Sequence, residues 1–256
     1  MDLRVLGCSG GIGQERRTTS LLVDADILID SGSGVGDLTM DEMAGIRHIF
    51  LTHSHLDHIT FLPLMVDSIF ERIDPAVVIH AQPQTIQVLK DHIFNWHIWP
   101  DFATLPTPDN PVMLYQEMLP GTSIDIDGRT IEMIPVNHIV PTVGYRFQEN
   151  KTNKSFAFTG DTTTNDTFWA ALNQHSDLDM LIVESAFGNK DEHLSNIAKH
   201  YCSKTLAQDL TKLKHNPSVY LSHTKPGEEE TIFNECKALI NGRKLTSLKH
   251  GDSFKL

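Results

Sequence analysis

The stretch Thr52-His53-Ser54-His55-Leu56-Asp57-His58 limits what this chain can fold into more than any other. It follows Ile49-Phe50-Leu51, an apolar run that reads as a buried strand. Chain leaving such a strand stays extended, so His53 and His55, two apart, point the same way and can grip one ion. The chain then turns into a helix, where Asp57 and His58 can face a second ion beside the first. Three imidazoles and a carboxylate crowded at the end of a core strand are costly to bury unpaired. Bound cations remove that cost, and these are ligand types that transition metals accept. A solvated histidine-rich loop, the competing reading, does not suit the end of an apolar strand.

A two-ion site needs more ligands, and other strand ends offer them. His138 follows Met133-Ile134-Pro135-Val136-Asn137, Asp161 follows Phe158-Thr159-Gly160, and His223 follows Val219-Tyr220-Leu221-Ser222. The glycine before Asp161 lets backbone approach closely. Asp30, also at a strand end, suits a supporting role rather than ligation. Of the 14 histidines, His48, His80, His92, His97, His175, His200, His215 and His250 read as surface or packing residues.

The 256 residues carry a net charge of -12, with 40% hydrophobic and 21% charged residues, which is globular composition. One large domain over 1–256 fits the length. The acidic balance disfavours non-specific binding to nucleic acid or anionic membranes. No apolar run is long enough to span a bilayer, and the first residues lack the apolar core of a signal peptide. Three scattered cysteines, Cys8, Cys202 and Cys236, argue against a disulfide scaffold and for a reducing cytoplasm.

Periodicity predicts strands at 3–6, 20–24, 27–30, 49–52 and 77–79, and helices over 61–70 and from Pro83. A second set of strands is expected at 124–126, 130–136, 143–147, 156–159, 180–183 and 219–222. A helix is expected to start at Ser195 and run to Asn216-Pro217, with another over 228–240. Residues 94–111 form an irregular, aromatic excursion with Trp96, Trp99 and Phe102, which suit core or dimer packing better than base stacking. Strands then helices, twice over, predict an α/β fold of the αββα kind, two facing sheets with helices on both outer faces.

The His-x-His-x-Asp-His motif with the later His138, Asp161 and His223 resembles the metallo-β-lactamase superfamily. Carried over, the resemblance implies one metal on His53, His55 and His138 and another on Asp57, His58 and His223, with Asp161 bridging. Ser54 stands where the diiron branch has Glu, which disfavours a redox role. Finer motifs look like the class II cyclic-nucleotide phosphodiesterases: Leu6-Gly7-x-x-Gly10-Gly11, Thr52 to His58 with Leu56 inside, and Phe94-Asn95-x-x-Ile98-Trp99-Pro100. Glu184-Ser185 with His193-Leu194-Ser195, and Ser222-His223-Thr224-Lys225-Pro226, extend the likeness nearly end to end.

That likeness implies opening of the 3′ ester of cyclic AMP or GMP to the 5′-monophosphate. Two divalent transition-metal ions, zinc foremost with iron or manganese as alternatives, would activate water and neutralise the phosphate. Asp57, Glu184 and His193 form the expected catalytic set, His193 as proton donor with Glu184 orienting its ring, a pairing similar to that of ribonuclease Z. Lys225, Gly10 and Gly11 are the expected substrate contacts. The expected partner is a small anionic nucleotide, and a homodimer would be in keeping. The alternatives are a ribonuclease Z-like endonuclease, a lactone or thioester hydrolase on the same ligands, and a metal-holding interaction module.

Overall fold

The computed structural model describes residues 1–256. In the N-terminal half the strands are β1 (Asp2–Gly7), β2 (Ser20–Val23), β3 (Ile27–Ile29), β4 (His48–Phe50) and β5 (Val77–Ala81). A ribbon of β6 (Pro106–Thr107) and β7 (Asn110–Pro111) precedes β8 (Met113–Glu117). The second half holds β9 (Ser123–Ile126), β10 (Arg129–Pro135), β11 (Val143–Glu149), β12 (Ser155–Phe158), β13 (Met180–Glu184), β14 (Ser218–Ser222), β15 (Leu245–Ser247) and β16 (Ser253–Lys255). The helices are α1 (Met40–Gly45), α2 (Leu56–Ile59), α3 (Phe61–Ser68), α4 (Pro83–His92), α5 (Thr167–Leu172), α6 (Glu192–Ala198), α7 (Ser203–Asp209) and α8 (Glu229–Leu239). None is long and apolar enough to cross a membrane.

The strands build two seven-stranded sheets, β16-β1-β2-β3-β4-β5-β8 and β15-β14-β13-β12-β11-β10-β9. Side chains alternate across a strand, and here the alternation divides three cores. In β13, Met180 and Ile182 enter the core between the sheets, while Leu181 and Val183 join the core under α5, α7 and α8. In β4, Phe50 points between the sheets and Ile49 into the core under α3 and α4. This is the αββα arrangement that the strand pattern predicts. Arg129, buried at the start of β10, donates to both carboxylate oxygens of Asp26 at 2.7 Å and to Asp24 at 2.9 Å. It ties the sheets together at the edge where β3 and β10 begin.

Trp99 packs on the core of the first sheet and Phe102 is buried there, whereas Trp96 and Ile98 are exposed. The aromatic excursion is therefore mainly a packing element, anchored where β5 and β8 begin by the Val77 N–H on the Val112 carbonyl.

One expected packing histidine has a measurable consequence. His80, buried at the end of β5, lies flat on Phe50 with centroids 4.4 Å apart, its Nε2 3.0 Å from Nδ1 of His48. Burial, helped by His48, pushes its pKa down to about 3. An unfolded chain binds that proton near pH 6.5, so as pH falls below 6.5 the unfolded state gains a proton that the fold refuses, and stability drops. By pH 5 the loss attributable to His80 should be about 2 kcal/mol. Urea unfolding of wild type and His80→Gln at pH 7.5 and 5 checks this. The stability gap between them should narrow by that amount, and a constant gap would assign the acid sensitivity elsewhere.

Candidate metal centre

Strands β12, β13 and β14 run parallel, and β10 shares their direction through two antiparallel steps. Their carboxyl ends therefore deliver His138, Asp161, Glu184 and His223 to one edge, as open sheets commonly do with functional groups. The facing sheet adds Asp30 after β3 and the 52–58 segment after β4, which are also parallel. Gly160 sits at φ +60 with Val143 O only 2.8 Å from where a Cβ would be, so a side chain there would displace Asp161 from this edge.

The predicted ligands converge in two abutting groups. One is His53, His55, His138 and Asp161; the other is Asp57, His58, Asp161 and His223, and the facing atoms within each lie within 4.8 Å of one another. Asp161 belongs to both. Its Oδ2 lies 3.2 Å from His223 Nε2, 3.3 Å from His58 Nε2 and 3.7 Å from His53 Nε2. His223 Nε2 also meets Asp57 Oδ2 at 3.2 Å, and His138 Nε2 faces His55 Nδ1 at 3.3 Å.

Supporting hydrogen bonds fix which ring nitrogen faces inward. His58 Nδ1 donates to Asp30 Oδ2 at 2.7 Å, and Thr52 N and Oγ1 both donate to Asp30 at 2.8 Å. His53 Nδ1 rests on Thr52 Oγ1 at 3.0 Å, and His138 Nδ1 donates to the Lys199 carbonyl at 2.9 Å. Asp30 thus has the supporting place expected of it. Such outer contacts orient metal-binding imidazoles and raise their basicity.

The donor set passes a direct test of fit. His53 Nε2, His58 Nε2 and Asp161 Oδ1 are buried without any hydrogen-bond partner. Each such atom costs about 1–3 kcal/mol when nothing satisfies it, and cations held by the two groups would satisfy all three. The charged groups also act on one another. Burial lowers the His53 pKa, with His58 adding to the effect. Burial also opposes charge on His58 and Asp161, but the attraction between them prevails. With Asp30 it holds His58 well above the ordinary range, and with His223 it holds Asp161 well below its own.

The expected pairing of Glu184 with His193 is corrected. Glu184 Oε1 accepts from His200 Nδ1 at 2.7 Å and from Thr162 N at 2.8 Å, and Oε2 accepts from Ala186 N and Tyr201 N. Those four contacts use its oxygens, and His193 stands exposed on α6. The cause is a break in the helix expected to run on from Ser195. It stops at Ala198, Lys199 turns left-handed at φ 52, and α7 restarts after Cys202. The break drops His200, predicted as bland, into the centre. Its ring stacks on His223 with centroids 5.3 Å apart and meets His138 edge-on at 4.8 Å. Burial lowers its pKa, but Glu184 more than compensates and raises it to about 9.

The proposed substrate contacts are placed differently from one another. Lys225 is half-buried, with Nζ 3.3 Å from the Gly10 carbonyl and 5.8 Å from the Phe187 ring centre. Gly10 packs on the chain itself: a Cβ there would sit 2.6 Å from the His223 carbonyl. Its missing side chain seats the ligand loop, and Gly11 abuts Pro226 in the same way.

Two ligand groups sharing one carboxylate, at the carboxyl edge of facing sheets with helices outside, define a metallohydrolase of the metallo-β-lactamase fold. The chain belongs to the β-lactamase superfamily domain family, whose model matches residues 26–224. It is 28% identical to a probable 3′,5′-cyclic-nucleotide phosphodiesterase of Yersinia pestis over 72% of this chain, and spans 59% of that protein's length. A ribonuclease Z of Bradyrhizobium diazoefficiens is 27% identical over 97% of this chain and 98% of its own. The crystal structure of unliganded yeast PDE1 shares the fold, with a TM-score of 0.83 at 19% identity over 100% of this chain and 99% of that one.

Proposed function

We propose that this chain is a binuclear-metal phosphodiesterase that opens the 3′ ester of 3′,5′-cyclic purine nucleotides to 5′-monophosphates. The observation that carries the reading is the Glu184–His200 pair set directly beside the two ligand groups. A lactone or thioester hydrolase has no evident use for a carboxylate-charged imidazole at that point, whereas a phosphodiester has a poor alkoxide leaving group that needs a proton.

Two divalent cations, zinc by the imidazole-rich donor set, would supply charge neutralisation of the phosphodiester and an activated water. The chain's own residues do the rest. Asp161 holds the two groups in register, Asp57 completes the second group, and Asp30, Thr52 and the Lys199 carbonyl fix the rings. His200, its Nδ1–H taken by Glu184, presents Nε2–H for the leaving 3′-oxygen. Lys225, beside His223, is placed to meet a phosphate or ribose oxygen at the rim. Leu56 and Ile139, exposed next to His55 and His138, offer an apolar margin that suits a purine. The net charge of -12 weighs against a long polyanion.

The nearly full-length match to a ribonuclease Z favours one second reading, RNA cleavage on the same centre. Hydrolysis of cyclic AMP, bis(p-nitrophenyl) phosphate, a precursor tRNA and a lactone, run side by side on zinc-loaded protein, separates the readings. Turnover of the cyclic nucleotide to AMP is expected. A 3′-monophosphate product would overturn the leaving-group assignment, and activity on tRNA alone, falling steeply with salt, would establish the second reading.

A further inference from the structure

Lys199 is the residue at which the helix breaks, and it touches the metal centre twice. Its carbonyl accepts from His138 Nδ1 at 2.9 Å, and its Nζ donates to the His138 carbonyl at 3.3 Å. Its backbone is left-handed, φ 52 and ψ 50, a conformation that residues with a Cβ rarely adopt. Had α6 continued, the Lys199 carbonyl would point along the helix axis towards the backbone N–H of residue 203, and His138 would lose its acceptor. The next residue is held just as firmly: His200 N donates to Ser195 O at 3.0 Å, and Ser195 Oγ donates to His200 O at 2.8 Å. The same turn therefore places the His200 ring against that of His138.

We propose that Lys199 is a positioning residue whose left-handed turn ties the metal ligand His138 to the proton donor His200. Through its carbonyl it keeps the His138 proton on Nδ1 and leaves Nε2 free to face His55 Nδ1. Through its backbone direction it delivers His200 to Glu184. Lysine at this position, where glycine would adopt the turn freely, adds the second grip on the His138 carbonyl. The ligand half of this proposal is independent of the substrate, while the proton-donor half rests on the phosphodiesterase reading.

Three variants separate backbone from side chain. Lys199→Val disfavours the left-handed turn, Lys199→Gly permits it, and Lys199→Met keeps the carbonyl while removing the ammonium. Zinc affinity is measured by chelator competition on metal-stripped protein whose fold is checked by circular dichroism. Lys199→Val should bind its weaker zinc roughly 10–100-fold less tightly, the usual cost of losing an outer-shell partner. Lys199→Gly and Lys199→Met, which both lack the ammonium, should fall between wild type and Lys199→Val, with Lys199→Gly the tighter of the two. Lys199→Val should also lose more turnover on cyclic AMP than on bis(p-nitrophenyl) phosphate, a selective loss that Lys199→Gly should not show. In zinc-loaded wild type, nitrogen-15 spectra should show the His138 proton on Nδ1. A folded Lys199→Val with full zinc affinity, a Lys199→Gly as weak as Lys199→Val, or a proton on Nε2 of His138 in wild type would each overturn the proposal. Normal zinc effects with no cyclic-nucleotide turnover in any form would overturn the substrate reading instead.

Discussion

Asp161→Ala should abolish turnover and leave the protein with fewer than two tightly held metal ions. Asp161 alone belongs to both ligand groups, and its Oδ2 faces Nε2 of His53, His58 and His223 at 3.2 to 3.7 Å. Without it the second group keeps only Asp57 as a carboxylate, and the first keeps none. Two cations held side by side repel, and the shared carboxylate offsets that repulsion. Turnover should fall by at least roughly 10³-fold, the scale of losing a main charge-stabilising element of the transition state. Metal content after passage over a chelating column gives the direct reading, with wild type expected to hold about two ions per chain through the binuclear site. Asp161→Asn, which keeps the shape and one oxygen donor, should fall between the two. An Asp161→Ala protein that keeps two tightly bound ions would refute the bridging role. Wild type that binds less than one ion even after zinc or manganese supplementation would refute the centre as a whole.

The cluster of candidate ligands was legible in the sequence because its members lie in segments that follow apolar strands, four of them in the run from His53 to His58. Parallel strands in one sheet end at one edge, so a run such as Val219-Tyr220-Leu221-Ser222 followed by His223 carries positional information beyond the residue type. The sandwich was legible because strands and helices follow one another twice over; in the fold, the fully apolar β13 splits its side chains between an inner and an outer core. The place of His200 was not. The apolar positions 197, 198 and 201 fit one helical face, as do 206, 210 and 213, but the step from 201 to 206 is five residues and breaks the phase. That slip, followed by Cys202 and Ser203 at a helix start, is the local signal of two helices. Tertiary contacts decide the break itself: Lys199 takes up a conformation that propensity disfavours because His138 and Glu184 hold its neighbourhood in place. Periodicity is also silent on what a glycine approaches: Gly10, expected at the substrate, has the space of its missing side chain against the His223 carbonyl. Asp30, Lys199 and His223 all have positive φ, so three departures from ordinary backbone geometry sit at this one centre.

His200→Ala should separate the proton from the metal. His200 lies outside both groups that share Asp161; in the third set it forms, with Glu184 and His223, its Nδ1 is bonded to the Glu184 carboxylate, so metal content should be unchanged. Its Nδ1 is committed to Glu184 at 2.7 Å, which leaves Nε2 as the atom able to donate. Cleaving the 3′ ester of a cyclic nucleotide expels an alkoxide, and losing its general acid should slow turnover roughly 10²–10⁴-fold, about 3–5 kcal/mol of barrier. Nitrophenolate leaves without help, so the same variant should lose far less on bis(p-nitrophenyl) phosphate. The ratio of the two losses is the diagnostic quantity, because damage to the metal centre or to folding would depress both rates alike. Glu184→Gln should show the same contrast, since the amide keeps an acceptor for Nδ1 but no longer favours a charged ring and cannot accept from all four donors on Glu184. His193→Ala, on the exposed face of α6, should behave as wild type on both substrates. Equal losses on the two substrates in His200→Ala would make His200 a residue that orients the phosphate. A fall in metal content would place it among the ligands, beside His223, whose ring it already stacks on at 5.3 Å.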